Sequence, residues 1–207
     1  MQQKVKDASD AGETLTKTKH LRIRMVLTGM TPLLFNPKND AISPKEMTPG
    51  EQAALKVHQD AKGVPGIPSN MVYRTWVNGG KEVEVKLVGR TRKKLLTNSK
   101  GGSKVGSYIS FEQTFFPFSD QKRKWDVNTQ SINAENSQGK MTQQISHRPC
   151  WERWSVEIIA VLLVSQLSEK DFRRLVEISG IEVGIGSYSP RCGGYFGKYK
   201  ITQWEHC

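Results

Sequence analysis

The chain has 207 residues, 31 Lys and Arg against 20 Asp and Glu, a net charge of +11, and 36% hydrophobic residues. That length suits one domain, or one domain with large insertions, and that charge points to a polyanionic partner, nucleic acid ahead of an anionic membrane. No apolar run reaches the roughly 18 residues of a membrane span, and residues 1–19 lack the apolar segment of a secretory leader. Three scattered cysteines, Cys150, Cys192 and Cys207, fit free thiols in a reducing cytoplasm. Neither they nor the four histidines share a metal-ligand spacing, so the sequence implies no metal and no cofactor.

Residues 1–19 are polar and aperiodic and read as a disordered tail. Leu21, Ile23, Met25 and Leu27 then alternate with polar residues, the period of a half-buried strand, which stops at Gly29. Asn36 to Pro44 reads as an exposed loop. Thr48-Pro49-Gly50-Glu51 is a capping box with proline at the first helical position, so a short helix follows. A second helix is expected from Ser69 as its cap, with Val72, Tyr73 and Trp76 on one face and Gly79-Gly80 as its stop.

Val83, Val85 and Leu87 predict a second strand. From Lys86 to Lys104 the chain carries Lys86, Arg90, Arg92, Lys93, Lys94, Lys100 and Lys104 and no acidic residue. Tyr108 to Phe118 reads as an aromatic strand, and Lys122, Arg123 and Lys124 precede Trp125. Asn128 to Gln144 is almost free of apolar residues and is expected to project as a hairpin or arm. Trp154 to Val164 is the best candidate for a central strand, and Ser168 caps a helix carrying Phe172, Leu175, Val176 and Ile178.

The last feature is Gly184-Ile185-Gly186-Ser187-Tyr188-Ser189-Pro190-Arg191-Cys192-Gly193-Gly194-Tyr195-Phe196-Gly197-Lys198, followed by a strand to Trp204. Such a loop can adopt positive φ and offer backbone N–H groups to phosphates. Arg191 and Lys198 add charge, and Tyr188, Tyr195 and Phe196 add flat faces for stacking bases. With the insertions set aside, the order strand, helix, strand, strand, helix, strand predicts a ferredoxin-like α+β sandwich, the topology of RNA-recognition modules.

Three segments make the chain resemble the RAMP superfamily, best known as backbone subunits of CRISPR effector complexes. They are the opening strand into Thr28-Gly29-Met30-Thr31-Pro32-Leu33, the run Gly66-Ile67-Pro68-Ser69-Asn70-Met71-Val72-Tyr73-Arg74, and the glycine-rich loop from Gly184 to Lys198. The resemblance implies one RAMP-like domain over 20–207, with 89–150 as an inserted basic loop and thumb-like arm. It implies a non-catalytic binder of single-stranded RNA, a guide RNA in a CRISPR-type ribonucleoprotein for antiviral defence, polymerising along the strand beside other effector subunits and away from membranes. A phage-encoded relative fits the same motifs. Its nucleic-acid contacts are expected at Arg74, Arg90, Arg92, Lys93, Lys94, Lys100, Lys104, Lys122, Arg123, Lys124, Gly184, Gly186, Arg191, Gly193, Gly194 and Lys198.

Two other classes compete. A phage single-stranded DNA-binding or recombination protein would use the same phosphate and stacking contacts. A RAMP-type endoribonuclease would need a general base, for which Asp40, His58 and His147 are the candidates.

Overall fold

The computed structural model describes residues 19–37, 47–120, 124–135 and 139–207, with the backbone alone at 132–135 and 144. The tail over 1–18, Asp40, Lys122 and Arg123 lie outside the described residues. In chain order the elements are β1 (His20–Gly29), β2 (Leu33–Leu34), α1 (Pro49–Ala54), β3 (Gly66–Pro68), α2 (Ser69–Gly79), β4 (Glu84–Val85) and β5 (Lys94–Leu95). Then come α3 (Val105–Tyr108), β6 (Ile109–Phe111), β7 (Phe115–Pro117), β8 (Asp126–Glu135), β9 (Met141–Trp151), β10 (Ser155–Leu163), α4 (Glu169–Ile178) and β11 (Tyr199–His206).

Four strands form the main sheet in the order β11-β1-β10-β6, every neighbouring pair antiparallel. Alternation along β1 and β10 puts Ile23, Met25, Leu27, Val156, Ile158, Ala160 and Leu162 on one buried face. There they meet Val72 and Trp76 of α2 and Phe172, Leu175 and Val176 of α4 in one core. The Trp76 indole stands edge-on to the Phe172 ring at 5.4 Å and donates from Nε1 to the Tyr199 hydroxyl at 3.1 Å. That burial pushes the Tyr199 phenol above its ordinary pKa. The opposite face of the sheet is mixed: Val26, Ile159, Val161 and Leu163 lie among Arg22, paired to Glu112, and the Thr28 and Thr202 hydroxyls, 2.8 Å apart.

The second strand of the main sheet differs from the sequence-based expectation. Val83 and Val85 are buried, but Glu84–Val85 pairs only with Lys94–Leu95 in a short hairpin, and Ile109–Phe111 takes the sheet position beside β10. Period-two alternation reports one buried face and not which partner the strand finds. The stretch 89–150 therefore contains a strand of the main sheet. The expected aromatic strand from Tyr108 to Phe118 is broken in two, its second half pairing as β7 with β3.

The helix ends follow the sequence at two places and depart from it at a third. Thr48 and Glu51 make the reciprocal capping box of α1, and Ser168 Oγ accepts from the Asp171 amide at the start of α4. Ser69, by contrast, is the first residue of α2, which has no side-chain cap. Gly80, at its far end, is right-handed rather than a left-handed stop. Gly79 serves packing instead: a Cβ there would overlap Ser179 Oγ, in the π-helical turn Ser179–Val183 that extends α4.

The polar segment forms the expected hairpin. β8 and β9 pair from Asp126↔Cys150 to Glu135↔Met141, and β2 adds to the root through Leu33↔Trp151 and Leu34↔Cys150. Core residues lie at the root, at Cys150 and Trp151, while Met141 and Ile145 farther out are exposed. Replacing 132–144 by a tight turn is therefore expected to leave the melting temperature within a few degrees of wild type. A cooperative loss of the fold, read by thermal melting, would place the arm in the core.

Candidate nucleic-acid interface

The glycine-rich loop is sewn into the turn that follows β1. Gly197 N donates to the Pro32 carbonyl at 2.8 Å, Ser187 N to Leu34 at 2.9 Å, and Met30 N to Lys198 at 2.8 Å. Lys198 N donates to Thr31 Oγ1 at 3.0 Å, and Trp154 Nε1 holds the Thr31 carbonyl at 2.9 Å. Within the loop, Ile185 N donates to Gly197 and Phe196 N to Tyr188. These amides are spent on the protein itself, so the expected cradle of bare N–H groups is replaced by an internally bonded scaffold.

The glycines accordingly divide. A Cβ on Gly194 would overlap the Tyr188 carbonyl oxygen, and one on Gly197 the Ile185 carbonyl oxygen. Gly193 also has positive φ, at 75°, but nothing lies within 4 Å of where its Cβ would stand. Gly193 and Arg191 are exposed at the rim of the loop, Gly184 is buried with its carbonyl accepting from Thr75 Oγ1, and Lys198 is half-buried.

Most of the aromatic side chains expected to stack bases are committed elsewhere. Phe116, Phe118 and Phe196 are buried, and Tyr188 lies beneath the Arg148 guanidinium, 4.4 Å from its carbon to the ring centre. Tyr195 is 60% exposed and stacks on Phe196 with ring centres 4.2 Å apart, so it offers an open face. The face of the main sheet turned away from the core carries no Phe, Tyr or Trp among its described residues, which removes the stacking surface of an RNA-recognition sheet.

Two of the three motif segments, and the residues that follow the first, converge on a cleft of about 660 Å³. Asn36 and Pro37 line it from beyond β2, Pro68, Asn70, Met71 and Arg74 from the entry into α2, and Gly186 and Ser187 from the glycine loop. His58 completes the wall, its ring edge-on to Phe35 at 4.8 Å. Burial lowers the His58 pKa, so the imidazole is neutral near pH 7. Arg74, exposed on α2, gives the cleft its positive charge. Of the residues singled out from sequence, the cleft thus gathers Arg74, Gly186 and His58.

The other charges lie apart. Arg90, Arg92, Lys93 and Lys94 occupy the exposed β4–β5 hairpin, and Lys100 and Lys104 the turn beyond it. This region is tied to the far end of α2, where Thr97 N donates to the Gly80 carbonyl. An 11-residue helix separates the two ends by roughly 16 Å. Lys124 sits at the root of the arm beside Asp126, Glu152 and Arg153. His147, the other histidine candidate, lies on the arm with Nδ1 2.8 Å from Thr129 Oγ1. Sequence reasoning missed Lys56 and Arg148, which face one another at the arm's root; neither stands in a motif or a charge run.

These features define a mixed α/β fold with antiparallel sheets, a glycine-rich loop and a projecting hairpin. No protein-family model matches the sequence, and no curated protein matches it. Among solved structures, the chain is similar to one in the cryo-electron microscopy structure of the type III-B Cmr-beta bound to cognate target RNA. The two are 13% identical with a TM-score of 0.51, covering 94% of this chain and 63% of that one. Similarity to Cmr6 from Pyrococcus furiosus is weaker, at 10% identity and a TM-score of 0.43, over 87% of this chain and 98% of that one. The Cmr-beta likeness establishes a shared fold. This chain spans 63% of the length of that solved chain. No helix among the described residues is long and apolar enough to cross a membrane.

Two outcomes follow from this geometry. Gly194→Ala and Gly197→Ala are expected to destabilise at the upper end of the roughly 1–3 kcal/mol that overpacking costs, whereas Gly193→Ala carries only the strain of positive φ, about 1 kcal/mol. Denaturant unfolding of the three variants would show equal losses if the loop were an open turn. His58 is held below its unfolded pKa, so the unfolded chain gains its proton first as pH falls through the ordinary value of 6.5. Stability is therefore lost on acidification below that point. His58→Leu should flatten the dependence of melting temperature on pH between about 7 and 5; an unchanged slope would mean that His58 is solvated.

Proposed function

We propose that this chain binds single-stranded RNA without cleaving it, as a backbone-type subunit of a CRISPR-type ribonucleoprotein. Its core is the ferredoxin-like arrangement: the main-sheet strands, taken in chain order, lie fourth, first, third, second, with α2 and α4 in the two crossovers. The observation that carries the reading is the convergence on one cleft of two distant motif segments and the chain just beyond the first, with Arg74 at its wall and the arm rooted beside it. Such convergence supports a shared ligand, and the net charge of +11 favours a polyanion. The Cmr-beta structure holds cognate target RNA, which favours RNA over DNA as the strand. Phosphates pass Arg74, Arg191 at the loop's rim and the half-buried Lys198, and the β4–β5 hairpin adds a second point of attraction. Copies of the chain line up along a guide strand, each arm meeting the next copy or the bases.

Titration of a labelled single strand at several salt concentrations tests this. Neutralising four to six phosphates predicts a log–log salt slope of roughly −3 to −4. Arg74→Ala should weaken binding by about tenfold, or 1.4 kcal/mol, with an unchanged melting temperature, since exposed charges contribute little to stability. A flat salt response, or an Arg74→Ala variant that binds as well as wild type, would overturn the assignment.

One observation favours a second reading, an endoribonuclease: His58 lines the cleft together with Arg74. Turnover of the same strand with and without magnesium, abolished in His58→Ala, would replace the binding reading with it.

A further inference from the structure

The inner face of β9 carries Ser146, Arg148 and Cys150, all buried. Arg148 is 4% exposed, stacks on Tyr188, and donates from Nε to Ser146 Oγ at 3.2 Å. Lys56, just beyond α1, donates from Nζ to the same hydroxyl at 3.2 Å and to the His147 carbonyl at 2.7 Å. Two obligate donors therefore meet on one oxygen, which brings the two cations within two hydrogen-bond lengths of each other. Because Ser146 Oγ accepts from both, its own proton is left to donate outward. Burial first, and the Arg148 charge second, lower the Lys56 pKa.

No carboxylate among the described residues forms an ion pair with Lys56 or Arg148. Directly across the ladder from Arg148, Asn128 has a buried side-chain oxygen without a hydrogen-bond partner. Turning that amide over presents N–H donors at the same place. A partly desolvated pair of like charges without a carboxylate partner costs free energy until an anion arrives. Two stretches of chain lead from this position to the cleft wall. Tyr188, under Arg148, follows Ser187 of the cleft wall, and Asn36 of that wall lies two residues past Leu34, the partner of Cys150.

We infer that Lys56, Arg148 and the Ser146 hydroxyl form a seat for one phosphate of the bound strand at the root of the arm. The inference rests on the strand-binding reading and extends its path from the cleft onto β9. A tetrahedral phosphate with two free oxygens suits two donors approaching from different elements, α1 and β9. Bound there, it neutralises the repulsion and ties α1, the arm and the glycine loop to one another, so that strand binding also fixes the direction of the arm.

The test uses the full chain as wild type, Lys56→Gln and Arg148→Gln. Melting is compared in sodium phosphate and in sodium chloride at equal ionic strength, and a labelled single-stranded RNA is titrated across salt. Phosphate is expected to raise the wild-type melting temperature over chloride and to lose that advantage in both variants. RNA affinity should fall about tenfold in Lys56→Gln, the effect of removing one charge-assisted hydrogen bond. Its salt slope should become shallower by about 0.7. Lys56→Gln retains a donor for the His147 carbonyl and so gives a folded comparison even where Arg148→Gln does not. Either the lost phosphate response or the lower affinity with the shallower slope sustains the seat. If Lys56→Gln matches wild type in both measurements, the seat is overturned. A wild type that responds to phosphate through Lys56 yet binds no strand keeps the anion seat and overturns the strand-binding reading instead.

Discussion

The glycine loop and the turn after β1 share one set of backbone hydrogen bonds, and the placement of the other functional parts depends on it. Gly197 N on the Pro32 carbonyl, Ser187 N on Leu34 and Met30 N on Lys198 hold two segments separated by some 150 residues at bonding distance. The approach is close enough that a Cβ on Gly186 would overlap the Leu34 carbonyl oxygen, and Gly194 and Gly197 are closed off by carbonyl oxygens of the loop itself. The same bonds fix the exit of β1 beside the entry of β11, and Trp154 closes the arrangement by donating to Thr31. Glycine is required here because backbone meets backbone, and a ligand's close approach is a separate matter that arises only at the open Gly193.

From that junction the arm and the cleft receive their positions. Leu33 and Leu34, held by the loop, pair with Trp151 and Cys150 and so set where β9 begins to leave the body of the protein. Leu34, Cys150 and Phe196 pack together beneath Tyr188. The Arg148 guanidinium lies over the same ring, 4.4 Å from its centre. Asn36 and Pro37, a few residues on, become one wall of the cleft, and Ser187 becomes the opposite one. Thr75 of α2 bonds the Gly184 carbonyl, which brings Arg74 to the same opening.

The positive charge is consequently distributed over two regions. One is the cleft and the arm's root, with Arg74, Lys56 and Arg148; the other is the exposed β4–β5 hairpin at the far end of α2. The second region is joined to the far end of α2 through Thr97 and Gly80, so it presents its charge apart from the cleft.

The sequence by itself determined the elements whose signals are local. The alternation of β1 and β10, the capping box at Thr48, the N-cap at Ser168, the polar hairpin and the glycine loop were all legible, because each rests on residues near one another in the chain. Tertiary structure alone decided that Ile109–Phe111, and not Val83–Leu87, enters the main sheet, because both segments bury an apolar face and only strand pairing distinguishes them. It also decided that most of the loop's amides and aromatic rings are turned inward, since a glycine that admits a phosphate and one that admits a carbonyl oxygen look alike in a sequence. Lys56 and Arg148 were invisible for the same reason: a lone lysine and a lone arginine 92 positions apart become a site only when α1 and β9 bring them to one serine hydroxyl.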